Sequence, residues 1–241
     1  MPIIVESGIE IGPGITLGAG FAPSVTLIYD LDAANYSAVP VNGSVTAGEG
    51  TTGQRTLTVA NAGSSISWQA DNGGLFRKSN ATGTDFIYGG PNWVTGQSYS
   101  VFMAYKRIAT SSGRLLNTQS EASKDWLMGL YNGNPDTFYP NYAVNLPATG
   151  ADLVWHFGWA TWNTTTSLGQ LYTATSSQPT GTAFAVTNGS GGGFNQLRMF
   201  SRAAGSEVQT ADIGFVKAYS GIFTLADVQG LYNQYKSRFG Y

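Results

Sequence analysis

The stretch 212–241, DIGFVKAYSGIFTLADVQGLYNQYKSRFGY, decides how the rest of the chain is read. Its first part, Ile213 to Tyr219, is a short β-type run with Ile213, Phe215 and Tyr219 on one alternating face. Its second part opens at Thr224 with Asp227 three residues on, a variant of the capping box. Leu225, Val228, Leu231, Tyr232 and Tyr235 then recur at helical spacing and form one apolar stripe. Lys236 and Arg238 fall where a last turn suits cations, and Gly240 follows as a stop signal. The spacing predicts a strand, a turn at Ser220 and Gly221, and a short helix over about 225–237.

Working back from this ending, the chain reads as many strands joined by turns. Only 11% of its 241 residues are charged, while glycine reaches 32 residues, well above the usual share. Thirteen Tyr, twelve Phe and six Trp supply enough apolar bulk for one large core. The strongest strand is 98–106, SYSVFMAYK, apolar on both faces and therefore expected at the centre of a sheet. Further strand signals stand at 25–31, 56–59, 65–68, 75–76, 84–88, 113–117, 126–131, 153–162, 169–173, 182–186 and 194–200. DNGG at 71–74 and NGNP at 132–135 are turn signals, and 36–56 reads as turn-rich.

Several of these stretches carry a resemblance. Asp212, Ile213, Gly214, Val216, Tyr219, Val228, Tyr232, Lys236 and Arg238 stand at places matching the last strand and trailing helix of laminin-G-like domains, a group of the concanavalin A-like lectin/glucanase superfamily. Phe223 and Thr224 replace the usual Leu-Ser, and Asp227 sits where Glu is common. Leu31, Asp32, Ala33 and Asn35 resemble the opening strand, 84–88 and 98–106 resemble internal ones, and Trp155 with His156 resembles a Trp-x-His strand. The likeness is scattered over 25–241. It implies an all-β fold, a two-sheet antiparallel jelly-roll sandwich with one short C-terminal helix and an extended N-terminal arm. The expected organisation is an arm over 1–22 and a sandwich over 23–241.

The arm differs from everything after it. Gly8, Gly14 and Gly20 open units of six, Ile9, Ile15 and Phe21 follow, and Ile11 and Leu17 come two later. Ile9, Ile11, Ile15 and Leu17 therefore share one apolar edge that cannot be buried within so short a segment. Either it is a disordered or clasped N-terminal strand or it pairs with another chain, such as a second copy or a particle protein. Gly-Ile-x-Ile-Gly arms of this kind resemble the starts of some phage structural proteins, particularly those of phages of cyanobacteria.

Composition removes several functions. With no Cys there is neither a disulfide framework nor a thiolate metal site. The net charge of −2, with no basic stripe, argues against nucleic acid. No apolar run has the length of a membrane span, and the N-terminus lacks a secretory pattern, so the chain is expected to be made in a host cytoplasm. A glucanase needs paired carboxylates, resembling E-x-D-x-x-E on one strand. The five Glu, at 6, 10, 49, 121 and 207, build no such triplet, so no catalytic residues are expected. His156 is the only histidine, which excludes a multi-His zinc site and makes a packed structural imidazole the better reading than a triad member. Asp30, Asp32, Asp71, Asp125 and Asp136 are dispersed. No metal and no cofactor are expected, and a single structural Ca2+ at a turn is left open.

Sugar binding needs aromatic platforms with polar neighbours. Trp93, Trp126, Tyr139 and Tyr142 read as loop or loop-edge residues and are the candidate glycan contacts, with 138–142, FYPNY, preferred. Each is also the kind of residue that fills a sandwich core. The expected function is a non-catalytic phage virion protein, a head or tail appendage, fibre or decoration. It would present a lectin-like domain towards host-surface glycans, with the arm bound to other virion proteins or to its own copies. The alternative is a carbohydrate-binding module of a bacterial surface or glycan-degrading system.

Overall fold

The computed structural model describes residues 3–4, 10–11, 23–39, 44–50, 53–60, 65–81, 86–89, 98–109, 113–119, 126–131, 134–140, 144–145, 153–163, 165–166, 168–185, 196–201 and 207–241. Its strands are β1 (Ile3–Ile4), β2 (Glu10–Ile11), β3 (Thr26–Asp32), β4 (Ser44–Gly50), β5 (Gly53–Ala60), β6 (Ile66–Gln69), β7 (Leu75–Lys78), β8 (Phe86–Gly89) and β9 (Tyr99–Arg107). They continue as β10 (Gly113–Gln119), β11 (Trp126–Tyr131), β12 (Asn134–Pro140), β13 (Val144–Asn145), β14 (Trp155–Asn163), β15 (Leu168–Ala174), β16 (Thr180–Ala185), β17 (Gln196–Met199) and β18 (Ala211–Ser220). One α-helix, α1 (Leu225–Tyr235), follows and ends in a 3-10 turn, Lys236–Phe239. No helix among the described residues is long and apolar enough to cross a membrane.

The strands hydrogen-bond in the order β13-β12-β11-β10-β17-β8-β5-β4-β3-β18-β9-β14-β15-β16, with β7 on the first half of β18 and β6 on β7. Every ladder in this path is antiparallel among the described residues. The path folds over on itself, so Leu115 and Leu116 of β10 and Met199 of β17 share one core with Val101 and Met103 of β9, Trp162 of β14 and Val216 of β18. That is the jelly-roll sandwich expected from the strand spacing.

A second core lies on the other side of the same sheet. In β9, Tyr99, Val101, Met103 and Tyr105 face the sandwich interior, while Phe102 and Ala104 face α1. In β14, Ala160 and Trp162 face inwards and Trp155, Phe157 and Trp159 face the helix. A strand alternates its side chains, so only a strand apolar at both parities can serve two cores. Both central strands meet this requirement, which is why SYSVFMAYK reads as it does.

β18 departs from simple alternation. Ile213 belongs to the sandwich interior, whereas Phe215 and Tyr219 pack under the helix. The expectation that Ile213 shares a face with the other two is therefore corrected. The ladder to β9 shifts between Ile213 and Phe215, so Gly214 is an extra residue that reverses the phase. A Cβ at Gly214 would meet the Phe239 ring at 2.6 Å, which leaves glycine as the residue that fits.

The helix begins where its sequence says. Thr224 Oγ1 accepts from the Asp227 amide at 3.1 Å, and the Asp227 carboxylate accepts from the Thr224 amide at 2.7 Å. Val228, Leu231 and Tyr232 are buried, but Leu225 is half exposed, because the first helical position points past the sheet. Arg238 is also a correction: it serves as a rivet rather than a dipole cap. It lies in the 3-10 turn and donates to Asn72 O, Asp32 Oδ1 and Gly74 O, each at 2.7 Å. Gly240, at φ 86°, ends the turn in the left-handed region.

Asp227 reaches beyond its own cap, to the amide and hydroxyl of Ser24 at 2.7 and 2.9 Å. The first residues of the sandwich are thereby fixed to the helix start. Burial pushes the Asp227 carboxyl up, but the hydrogen bonds from Ser24 and Thr224 outweigh it and hold the group below the usual carboxylate range. A depressed folded value means a stabilising contribution present above the unfolded value and lost as pH falls through the folded one. Asp227→Asn is therefore expected to flatten the acid limb of the stability curve below about pH 4. Urea melts of both forms across that range check it; identical acid limbs would contradict it.

One further expectation is revised, and the turn expected at DNGG is borne out. The turn-rich reading of 36–56 is replaced by β4 and the start of β5, paired from Ser44↔Thr58 to Gly50↔Gly53. DNGG forms a 3-10 turn with Asn72, Gly73 and Gly74 at φ 51°, 74° and 125°. In the arm, Glu10–Ile11 pairs with Ile3–Ile4 of the same chain, in a two-stranded sheet separate from the sandwich. Ile9, Ile15 and Leu17 lie outside the described residues.

Candidate functional site

The densest chemistry among the described residues lies along the edge of α1. Leu31 enters the sandwich core, so its neighbours Asp30 and Asp32 turn to the helix side. Lys217 stands opposite Asp30 in the β18–β3 ladder and donates to Asp30 Oδ1 at 2.5 Å. Its ammonium also sits 5.3 Å from the Tyr235 ring centroid and 5.6 Å from that of Phe215. Arg238 closes the other end on Asp32.

Electrostatics make this cluster a fixed lock. Burial pulls Lys217 down, but Asp30 beside it outweighs that, and the net shift is upward, so the ammonium stays charged. Burial, then Asp30 and Asp32, pushes the Tyr36 hydroxyl up to about 12. Burial also raises Tyr219 and Tyr235. These phenols therefore keep their protons at neutral pH, and each carboxylate already holds a cation. A retaining or inverting glycosidase needs one carboxylate free to attack or activate water and one carboxylic acid free to protonate the leaving group. The Asp30–Asp32 pair provides neither. Its role is to fasten the helix to the sheet.

His156 is 2% exposed and stacks on Tyr105, with ring centroids 5.5 Å apart and planes 16° from parallel. An imidazole enclosed near the start of β14 does not meet a substrate. Among the described residues no three His, Cys, Asp or Glu side chains are grouped to hold a metal.

Of the four candidate platforms, the structure brings two onto neighbouring strands. Trp126 opens β11 and Tyr139 lies in β12; the ladder pairs Trp126 with Pro140 and Leu127 with Tyr139, one register step apart. Trp126 opens the strand expected at 126–131, while Tyr139 is a strand residue, which corrects its reading as a loop residue. Trp93 and Tyr142 lie outside the described residues. β12 escaped notice because prolines flank its apolar run. Pro140 is tolerated because β13 covers β12 only at Thr137 and Phe138. The lock residues were missed as well. Lys217, the single cation inside the apolar run ADIGFVKAYS, was the signal that a buried anionic partner must stand opposite.

No family model matches the chain, and no curated protein matches its sequence. Solved structures do match in shape. The fourth domain of an extracellular GH43 arabinanase from Geobacillus stearothermophilus, solved with arabinotriose, superposes with a TM-score of 0.56 at 13% identity, covering 89% of this chain and 98% of that one. A botulinum neurotoxin type C structure, whose cell entry is described as dependent on two ganglioside molecules, gives 0.56 at 13% identity. It covers 86% of this chain but 51% of that one. An arabinofuranosidase solved with arabinofuranosyl-alpha-1,2-xylobiose gives 0.59 at 8% identity, with 93% and 61% covered. This chain thus spans about half of the toxin chain and nearly all of the arabinanase domain. At these identities the likeness establishes the fold alone, an antiparallel jelly-roll β-sandwich with one C-terminal helix.

Proposed function

We propose that this chain is a non-catalytic glycan-binding domain. The observation that carries the reading is the likeness to an arabinanase domain solved with an oligosaccharide, over 89% of this chain and 98% of that one. The chemistry of the described residues is consistent with it, since the paired carboxylates of β3 are committed to Lys217 and Arg238. Tyr139 in β12, within the preferred 138–142 stretch, is the proposed contact; Trp126 in β11 has the opposite parity in the ladder and would serve a separate contact, with Trp93 and Tyr142 completing the candidate set. Flat rings bind the apolar faces of sugars, and a few polar groups fix orientation. Affinity per copy would be weak, and display in several copies would raise it through effective concentration.

A glycan array and titration calorimetry on the full chain, with arabinotriose as the first probe, test this. Tyr139→Ala is expected to weaken binding about ten-fold, the loss of one stacking contact of roughly 1.4 kcal/mol, and Trp126→Ala reads the opposite face of the same sheet. Absence of any glycan signal, or a signal untouched by both substitutions, would overturn the reading. A virion appendage is a second setting for the same domain, favoured by the Gly-Ile repeat of the arm. In that setting the glycans would be those of a host surface and the arm would hold the domain to the particle.

A further inference from the structure

The hydrogen-bonded path of the sandwich has ends, and they are not alike. β13 is two residues long, and β6, beside β7, is four. β16 runs six residues, TGTAFA, and pairs without a bulge along β15 from Thr173↔Thr180 to Leu168↔Ala185. No strand lies on its outer side among the described residues. Edge strands are normally blunted by charge, proline, a bulge or shortness, because a bare edge recruits another strand. β16 has none of these.

The same chain carries strands in need of a partner. Among the described residues, β1 and β2 pair with each other alone, over two residues each. An isolated two-stranded ribbon is marginal in water. The arm around it, with Ile9, Ile11, Ile15 and Leu17 alternating, has the pattern of a strand with one apolar side. We propose that the arm of one copy adds to the β16 edge of another, joining the chains by strand addition.

Direction favours a second copy over the chain's own arm. Ser24, where the arm leaves the sandwich, is fixed to Asp227 beside the end of β18. β9 begins, β14 ends, β15 begins and β16 ends at that same end of the sheet. An own arm laid back along β16 would therefore run parallel to it, after crossing about 24 Å of sheet. Every ladder of the sandwich among the described residues is antiparallel, and parallel pairing is the weaker kind per residue. A second copy can present its arm in the antiparallel sense. Such contacts are heterologous, so they propagate into rings or filaments.

The chain has no cysteine, so introduced thiols are unambiguous. Full-length Ile11→Cys and Thr182→Cys, mixed and oxidised, are expected to give a covalent heterodimer, and a chain carrying both is expected to give ladders. A cross-link confined within single doubly substituted chains would assign the arm to its own edge and overturn the proposal. So would a natural chain that stays monomeric in sedimentation at tens of micromolar. Hydrogen exchange on the unsubstituted chain guards against a variant that misfolds: amides of 180–185 should lose protection on dilution in step with dissociation, and protection independent of concentration would also overturn it. None of these readouts involves a glycan, so this proposal and the binding reading fail separately.

Discussion

Arg238→Ala is expected to lower the melting temperature by about 6–12 °C, the equivalent of roughly 3 kcal/mol in a domain of this size. The guanidinium joins three parts of the chain that are distant in sequence. It holds Asp32 at the end of β3, the carbonyls of Asn72 and Gly74 in the 3-10 turn, and at 3.4 Å the carbonyl of Gly214 at the β18 bulge. Asn72 returns the contact by donating its side-chain amide to the Arg238 carbonyl at 3.0 Å. Removing the side chain leaves the Asp32 carboxylate, 13% exposed, without this cation, and three carbonyls without this donor. The loss of one partner costs more than the pair contributes, because the other stays desolvated. Arg238→Lys should recover less than half of the loss, since one ammonium cannot span a fork of carbonyls and a carboxylate. Thermal melts of the three forms decide it, and a fall of under about 2 °C for the alanine form would show the rivet to be idle.

Much of this was legible because short-range rules and tertiary structure agree. The capping box at Thr224 and Asp227 places the start of α1, and Gly240 places its end. SYSVFMAYK reads as a central strand because both parities are apolar, and β9 does lie between β18 and β14. The misreadings share one cause, which is that periodicity assumes an uninterrupted element. Gly214 breaks the alternation of β18 by a single residue, and nothing local marks Ile213 as facing away from Phe215. In β12 the prolines masked a strand whose outer edge is only partly covered. Arg238 looked like a helix-end cation because its true partners, at 32, 72 and 74, are far away in sequence. The candidate sugar contacts were legible as residue types only. Which aromatics serve a core and which a surface depends on sheet curvature and pairing, and a single sequence records neither.

Phe157→Ala should be the most damaging single truncation on the helix side, at about 4 kcal/mol, or about 8–16 °C in melting temperature. Phe157 is fully buried, and its ring lies 5.4 Å from both Tyr232 and Phe239, 6.0 Å from Trp159, 6.1 Å from Phe102 and 6.4 Å from Phe215. Tyr232 and Phe239 meet it edge-on, at 86° and 81°, the arrangement that aligns ring edges with the π face. An alanine there opens a cavity that these rigid rings cannot collapse into. Phe157→Leu should recover part of the loss by restoring volume without the edge contacts. The manner of melting is as informative as its midpoint. β9, β14 and β18 carry the helix-side core on one face and the sandwich core on the other. Loosening one face loosens the shared strands, so unfolding is expected to remain a single transition. Helix signal at 222 nm and tryptophan fluorescence should then move together in the alanine form. A helix that melts first, with the sandwich following at the original temperature, would show that the two cores are energetically independent despite their common strands.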